Sequence, residues 1–163
     1  MAFEHLDDID LHILDILQQD GRISNTDLAQ QVGLAPPTVL RRVKLLEERG
    51  YIRGYVALLE PLAIGLSVTA FVFIETEAGC MLDEVLDHIV KLPGVVEVHR
   101  LMGEWCFLLK VRTQTPQSLE DLVYRDLRSY PSVRRTLTTL ATSAALETTA
   151  LPLPTLKMMN VEC

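Results

Sequence analysis

Long apolar runs are missing from this chain. No stretch approaches about 18 consecutive apolar residues, so no segment reads as a membrane span. Cysteine is scarce: Cys80, Cys106 and Cys163 lie far apart and form no CxxC. An odd number at these spacings points to reduced thiols rather than a disulfide framework. The four histidines include no pair at the i, i+4 spacing of a helical metal site. Glycine never clusters into a phosphate-cradling loop, and GxSxG is absent. The opening "MAFEHLDDID" is acidic and lacks the apolar core of a signal peptide. We therefore expect a cytoplasmic protein with no membrane partner, no metal, no cofactor and no catalytic residues.

What is present is enough to fold. Hydrophobic residues make up 48% of the 163, ample for a core and against disorder. That length fits one domain or two small ones. The net charge of −7 argues at first against a nucleic-acid partner. Its distribution reverses that argument. Residues 33–54 hold Arg41, Arg42, Lys44, Arg49 and Arg53 against Glu47 and Glu48, a local excess of three positive charges. Phosphates respond to charge within a Debye length, about 8 Å in physiological salt, so a local basic face binds DNA on an acidic protein.

That basic stretch lies in the last of three short helices. "DDIDLHILDILQQDG" sets Ile9, Ile13, Ile16 and Leu17 on one stripe, with Asp7 as its cap and Gly21 at its end. "SNTDLAQQVG" opens on a Ser24–Asp27 capping box, turns Leu28 and Val32 inward and stops at Gly33. The third helix starts at Pro36, whose missing N–H costs nothing in the first turn. Val39, Val43 and Leu46 form its buried side, Arg41 points roughly away from it, and Gly50 stops it. Two helices joined by the short "GLAP" stretch form a helix-turn-helix pattern with the third helix as reader. The alternative is a plain three-helix bundle whose arginines face water. "YIRGYVALLEP" then reads as a strand leading out.

From Ser67 the period changes. "SVTAFVFIET" reads as a strand, "AGCMLDEVLDHIVKLPG" as a helix, "VVEVHRLM" and "EWCFLLKVRT" as strands joined by a turn at Gly103. "TPQSLEDLVYRDLRSYP" is a helix capped by Thr115, and "VRRTLTTLATSAALE" a last strand. The order βαββαβ, with "LPGVVEV" and "YPSVRRT" at equivalent helix exits, points to two halves of a ferredoxin-like sheet. The fold class is α+β: an N-terminal helix-turn-helix domain, winged-helix-like, over 1–60, then a ferredoxin-like domain with a C-terminal tail over 61–163. Helices cover one sheet face only, yet Phe71 and Phe73 oppose Val68, Ala70, Val72 and Ile74. On the third strand Trp105, Phe107, Leu109 and Val111 oppose Cys106 and Leu108. A second apolar face needs a cover. A homodimer supplies it and presents two reading helices to a two-fold DNA site. The N-terminal helices folding over the sheet are the alternative.

The run "DGRIS…LA…VGL…P…LRRV..LE..GYI.GY", followed by "GEWCFLLKV", resembles the Lrp/AsnC family of feast/famine transcriptional regulators. The match spans nearly the whole chain. The resemblance implies sequence-specific binding of double-stranded DNA, assembly of dimers into tetramers or octamers, and a small effector, usually an amino acid, held between subunits. Thr38, Arg41, Arg42, Lys44 and Arg49 are the expected DNA contacts. Met102, Gly103, Glu104, Trp105, Cys106, Thr136 and Thr138 are the expected effector contacts. Two departures stand out. The third helix usually opens Ser-Pro-Thr-Pro-Cys; here Ala35 cannot cap. The loop is typically Gly-Asp-x-Asp-Tyr; here it is Gly103-Glu104-Trp105-Cys106-Phe107, one acid replaced by a thiol. Glu104 is left for an ammonium and the turn's backbone for a carboxylate, with altered ligand preference expected. Cys106 is either a thiol sensor or a packed small hydrophobe. Thr136 and Thr138 are either effector contacts or a solvated face. Other readings are a sirohaem-decarboxylase-like enzyme using His99 and Arg100, and an architectural DNA-binding protein.

Overall fold

The computed structural model describes residues 6–154. The chain divides into two compact units, one drawing on Met1–Leu58 and Leu146–Cys163, the other Leu59–Ala145.

The first unit is built on α1 (Asp8–Gln19), α2 (Asn25–Val32) and α3 (Pro36–Glu48). Asp7 caps α1: its Oδ1 accepts the Asp10 N–H at 2.8 Å, and Asp10 Oδ2 accepts the Asp7 N–H at 3.4 Å. Ser24 Oγ accepts the Asp27 N–H at 3.1 Å and donates to the Asp27 carboxylate at 2.6 Å. Gly33 takes a left-handed φ of 70°, and the Leu34 N–H bonds back to the Ala29 carbonyl at 3.0 Å. This turn aims α3 away from α2. Ile13, Leu28, Ala29, Val39, Val43 and Leu46 close the core.

Two local expectations change. Gly21 does not adopt a left-handed conformation; α1 ends at an extended Asp20. What Gly21 supplies is room, since a Cβ there would sit 3.2 Å from the Tyr55 ring. The segment 51–60 forms no strand, because it has no ladder partner among the described residues. It is held at Tyr55, whose hydroxyl donates to Glu47 at 3.1 Å. Residues 146–154 pack with the helices. The Leu151 N–H donates to Gln18 Oε1 at 2.9 Å, and Gln18 Nε2 donates to the Leu151 carbonyl at 3.1 Å.

The second unit is β1 (Val68–Thr76), α4 (Leu82–Ile89), β2 (Val95–Arg100), β3 (Phe107–Thr113), α5 (Pro116–Asp121) and β4 (Val133–Ala141). The sheet order is β2-β3-β1-β4 with every neighbour antiparallel, the ferredoxin-like arrangement. Thr115 caps α5, and the helix widens into a π turn over Leu122–Leu127 that brings Leu122, Val123 and Leu127 inward. With Val85, Ile89 and Leu119 they cover Ala70, Val72, Ile74, Phe107, Leu109 and Val111. Gly94 (φ 89°) follows α4 where a Cβ would meet the Arg112 carbonyl at 2.8 Å, so only glycine passes. On the other sheet face Phe71 and Leu137 are exposed, and Phe73 and Leu108 half-buried.

Candidate functional site

Two groups of side chains carry chemistry, one in each unit. On α3 the buried stripe of Val39, Val43 and Leu46 fixes which way the helix turns. Arg41, Lys44 and Arg49 are consequently exposed, and Thr38 is half-buried at the helix start. Arg42 lies beside the buried stripe and behaves differently. Its Nη1 donates to Asp7 Oδ2 at 2.8 Å and to Asp10 Oδ1 at 2.6 Å. Its Nε is buried with no hydrogen-bond partner in the structure. Burial alone would raise the Asp7 carboxyl, but the Asp10 backbone N–H and the Arg42 guanidinium outweigh it and hold the group below its ordinary value. The Asp10 and Asp7 carboxylates in turn raise Arg42. A cavity of about 220 Å³ opens here, lined by Asp7, Asp10, Arg41, Arg42, Leu45, Leu46 and Arg49.

In the second unit the loop 101–106 is pinned at its ends. Leu101 N–H donates to the Cys106 carbonyl and Cys106 N–H to the Ile74 carbonyl, both at 2.8 Å. Met102 and Glu104 project into solvent, with Gly103 between them at φ 135°. Regular pairing begins only at Phe107, so the alternation expected from Trp105 onward fails. Trp105 does not share a face with Phe107; its ring lies 5.8 Å from Phe73 on the face the helices leave open. Cys106 packs beside the helix-covered core, with its Sγ 3.2 Å from Thr76 Oγ1.

Arg135, on β4, organises the open face. Its guanidinium sits 4.6 Å over the Trp105 ring. It donates to Glu75 Oε2 at 2.7 Å and to Glu104, while Arg134 reaches Glu75 Oε1 at 2.7 Å. These carboxylates raise the Arg135 pKa, Glu104 most. Sequence reasoning missed Arg135, Arg134 and Glu75. The adjacent arginines in "VRRT" were visible, but not the register that sets Arg135 opposite Glu75. Thr136 pairs with Ile74 and Thr138 with Val72, which puts both on the helix side. The expected effector residues are thus divided: Glu104 and Trp105 on the open side, Cys106, Thr136 and Thr138 on the other. His99 and Arg100 are consecutive on β2, so they face opposite ways; Arg100 is bound to Asp83 at 2.7 Å.

A recognition helix on a small helical unit, and a sheet unit with a charged loop, define a DNA-binding protein with its own ligand-binding domain. Residues 6–53 match the winged helix-turn-helix DNA-binding family, and 69–151 match the Lrp/AsnC ligand binding domain. The HTH-type transcriptional regulator FL11 of Pyrococcus furiosus is 35% identical over 147 residues, covering 90% of this chain and 96% of that one. The leucine-responsive regulatory protein of Escherichia coli K12 is 38% identical over 135 residues, 82% of each chain. A transcriptional regulator of Neisseria meningitidis, solved as an L-Met complex, superposes with a TM-score of 0.87 at 32% identity, covering 91% and 97%. The chain belongs to the Lrp/AsnC family of transcriptional regulators. The α+β class and the order of helix-turn-helix before antiparallel sheet are those of the family. Among the described residues no helix is long and apolar enough to cross a membrane.

Proposed function

We propose that this regulator acts in the cytoplasm as a homodimer or a higher assembly of dimers that reads a two-fold DNA site with Thr38, Arg41, Lys44 and Arg49, and that an amino acid tunes it. One observation carries the reading. Packing of Val39, Val43 and Leu46 leaves α3 with an exposed basic side at Arg41, Lys44 and Arg49. Arginine suits guanine edges and threonine a thymine methyl; lysine and the remaining arginine suit phosphates. Arg42, engaged by two carboxylates, is left out of the contact set.

The effector site we assign to the open face around Glu104, Trp105 and Arg135. A zwitterion's ammonium takes Glu104, its carboxylate takes Arg135 or the 102–104 backbone, and Trp105 floors its side chain. Binding exchanges the internal Arg135–Glu104 pair for two pairs to the ligand. The names of the leucine-responsive relative and the L-Met complex support an amino acid. Cys106, Thr136 and Thr138 lie on the far face and are placed outside this pocket; Cys106 serves as packing. The effector favours one assembly over another, which alters DNA affinity by linkage. No catalytic role is assigned, in keeping with FL11 and the leucine-responsive relative, both named as regulators, and with His99 and Arg100 facing apart.

The test is binding to a duplex selected from a random library on the wild-type protein, with and without a panel of amino acids. Arg41→Ala weakens that binding by about 1–3 kcal/mol, the worth of a base contact, without changing the mass in sedimentation. Undiminished affinity assigns the contact elsewhere.

A further inference from the structure

Arg42 reaches across 35 and 32 residues to the two carboxylates that start α1. Each of those carboxylates is divided in the same way. Asp7 uses Oδ1 for the Asp10 N–H and Oδ2 for Arg42; Asp10 uses Oδ2 for the Asp7 N–H and Oδ1 for Arg42. The cap of α1 and the bridge to α3 are therefore one network, and its charge-assisted bonds are the strong kind. Asp10 is buried and the Arg42 side chain is only 25% exposed. Two carboxylates neutralise the guanidinium and its Nε is enclosed, so it adds little field toward a phosphate.

The Val39, Val43 and Leu46 stripe sets which side of α3 faces in, but apolar contacts are non-directional. At one edge of that stripe a single Arg42 Nη1 donates to both carboxylates, a directional constraint on rotation about the helix axis. Arg41 and Arg49 line the same 220 Å³ cavity as this network, so a small roll of α3 displaces them directly.

We propose that Arg42 is a positioning residue, clamped by Asp7 and Asp10 to the start of α1, which sets the roll of α3 and hence the register of Thr38, Arg41 and Arg49 on DNA. This rests on the reading of α3 as the DNA-contacting helix. A direct-contact role for Arg42 makes opposite predictions. If Arg42 held a phosphate, losing its charge would lower the salt slope of binding by about 0.9. If Asp7 and Asp10 merely stood near DNA, removing their charge would tighten binding.

The experiment measures affinity for the duplex selected on wild type, and for a random duplex of equal length, across a salt series. It is run where circular dichroism shows every variant fully folded. Asp10→Asn, which weakens one charge-assisted hydrogen bond, lowers affinity for the selected duplex by about tenfold, and Arg42→Gln, which loses two, by at least as much. The double variant is no worse than Arg42→Gln alone. The salt slope stays at the wild-type value, and binding to the random duplex falls less. A purely structural role would instead leave affinity unchanged once the protein is folded. If Arg42→Gln does not fold, Asp10→Asn decides the matter. A slope reduced by about 0.9 in Arg42→Gln, tighter binding in Asp10→Asn, or wild-type affinity in Asp10→Asn overturns the clamp. Should the wild type select no duplex at all, the reading of α3 fails before the variants are compared.

Discussion

Asp7 shows how one side chain couples local structure to pH. Its carboxyl is held below the ordinary value once the Asp10 N–H and Arg42 outweigh burial. The unfolded chain therefore binds more protons than the folded one across that window, and stability rises with pH there. The contribution is complete above the unfolded aspartate pKa, about 4, and is lost as pH falls through the lower folded value. Asp7→Asn keeps a comparable cap, since asparagine ranks with aspartate at that position, but it cannot titrate. Thermal melts of the variant lose less stability than wild type on going from about pH 5 to below the folded value. The side chain is half exposed, so solvent screens the pair and the difference is modest. Equal acid losses in the two proteins would show that Asp7 has no altered titration.

The same principles at the scale of an element explain which structure was legible in the sequence. Helices with a buried stripe and a capping side chain announce themselves, as at Asp7, Ser24 and Thr115. Strands β1 and β3 do so through apolar alternation. The basic side of α3 was readable for the same reason, because residue angle around a helix follows from spacing. What failed depended on partners distant in sequence. The ion pairs of Arg42 were not legible, because nothing in a helical period reveals carboxylates 32 and 35 residues away. Residues 51–60 have strand composition, but a strand exists only against a neighbour. Trp105 changed face because the ladder starts two residues later than alternation implied. Ala35 was legible as a missing cap, and the structure gives it an extended conformation (φ −69°, ψ 141°) with no side-chain bond. Serine fits that backbone. Ala35→Ser stabilises the helical unit by about 0.5–2 kcal/mol, read as a raised denaturant midpoint at unchanged slope. No gain would mean that the first turn of α3 already satisfies its free N–H groups in another way.

At the scale of the whole molecule, the chain passes between its two units twice, near residue 58 and again near 145. Within the helical unit, Tyr55 is held on Glu47 and Leu151 on Gln18. The sheet unit in turn has one face that its own helices do not cover. Phe71 (36% exposed) and Leu137 (48%) lie there, with Phe73 opposite Leu137. In the proposed homodimer a second copy of the same face covers these side chains by symmetry. Leu137→Glu places a charge within that proposed contact. Burying it unpaired costs several kcal/mol per protomer, and two-fold symmetry doubles the penalty while adding like-charge repulsion. Sedimentation equilibrium of the variant gives a monomer mass where wild type gives a dimer or larger. Its helical content is unchanged, because residue 137 faces away from the buried cluster of Val72, Ile74 and Leu109. Its affinity for the selected two-fold duplex falls toward that of a single half-site, since the second reading helix is no longer held one helical turn away. A Leu137→Glu protein that sediments and binds as wild type would place the subunit contact on a different surface.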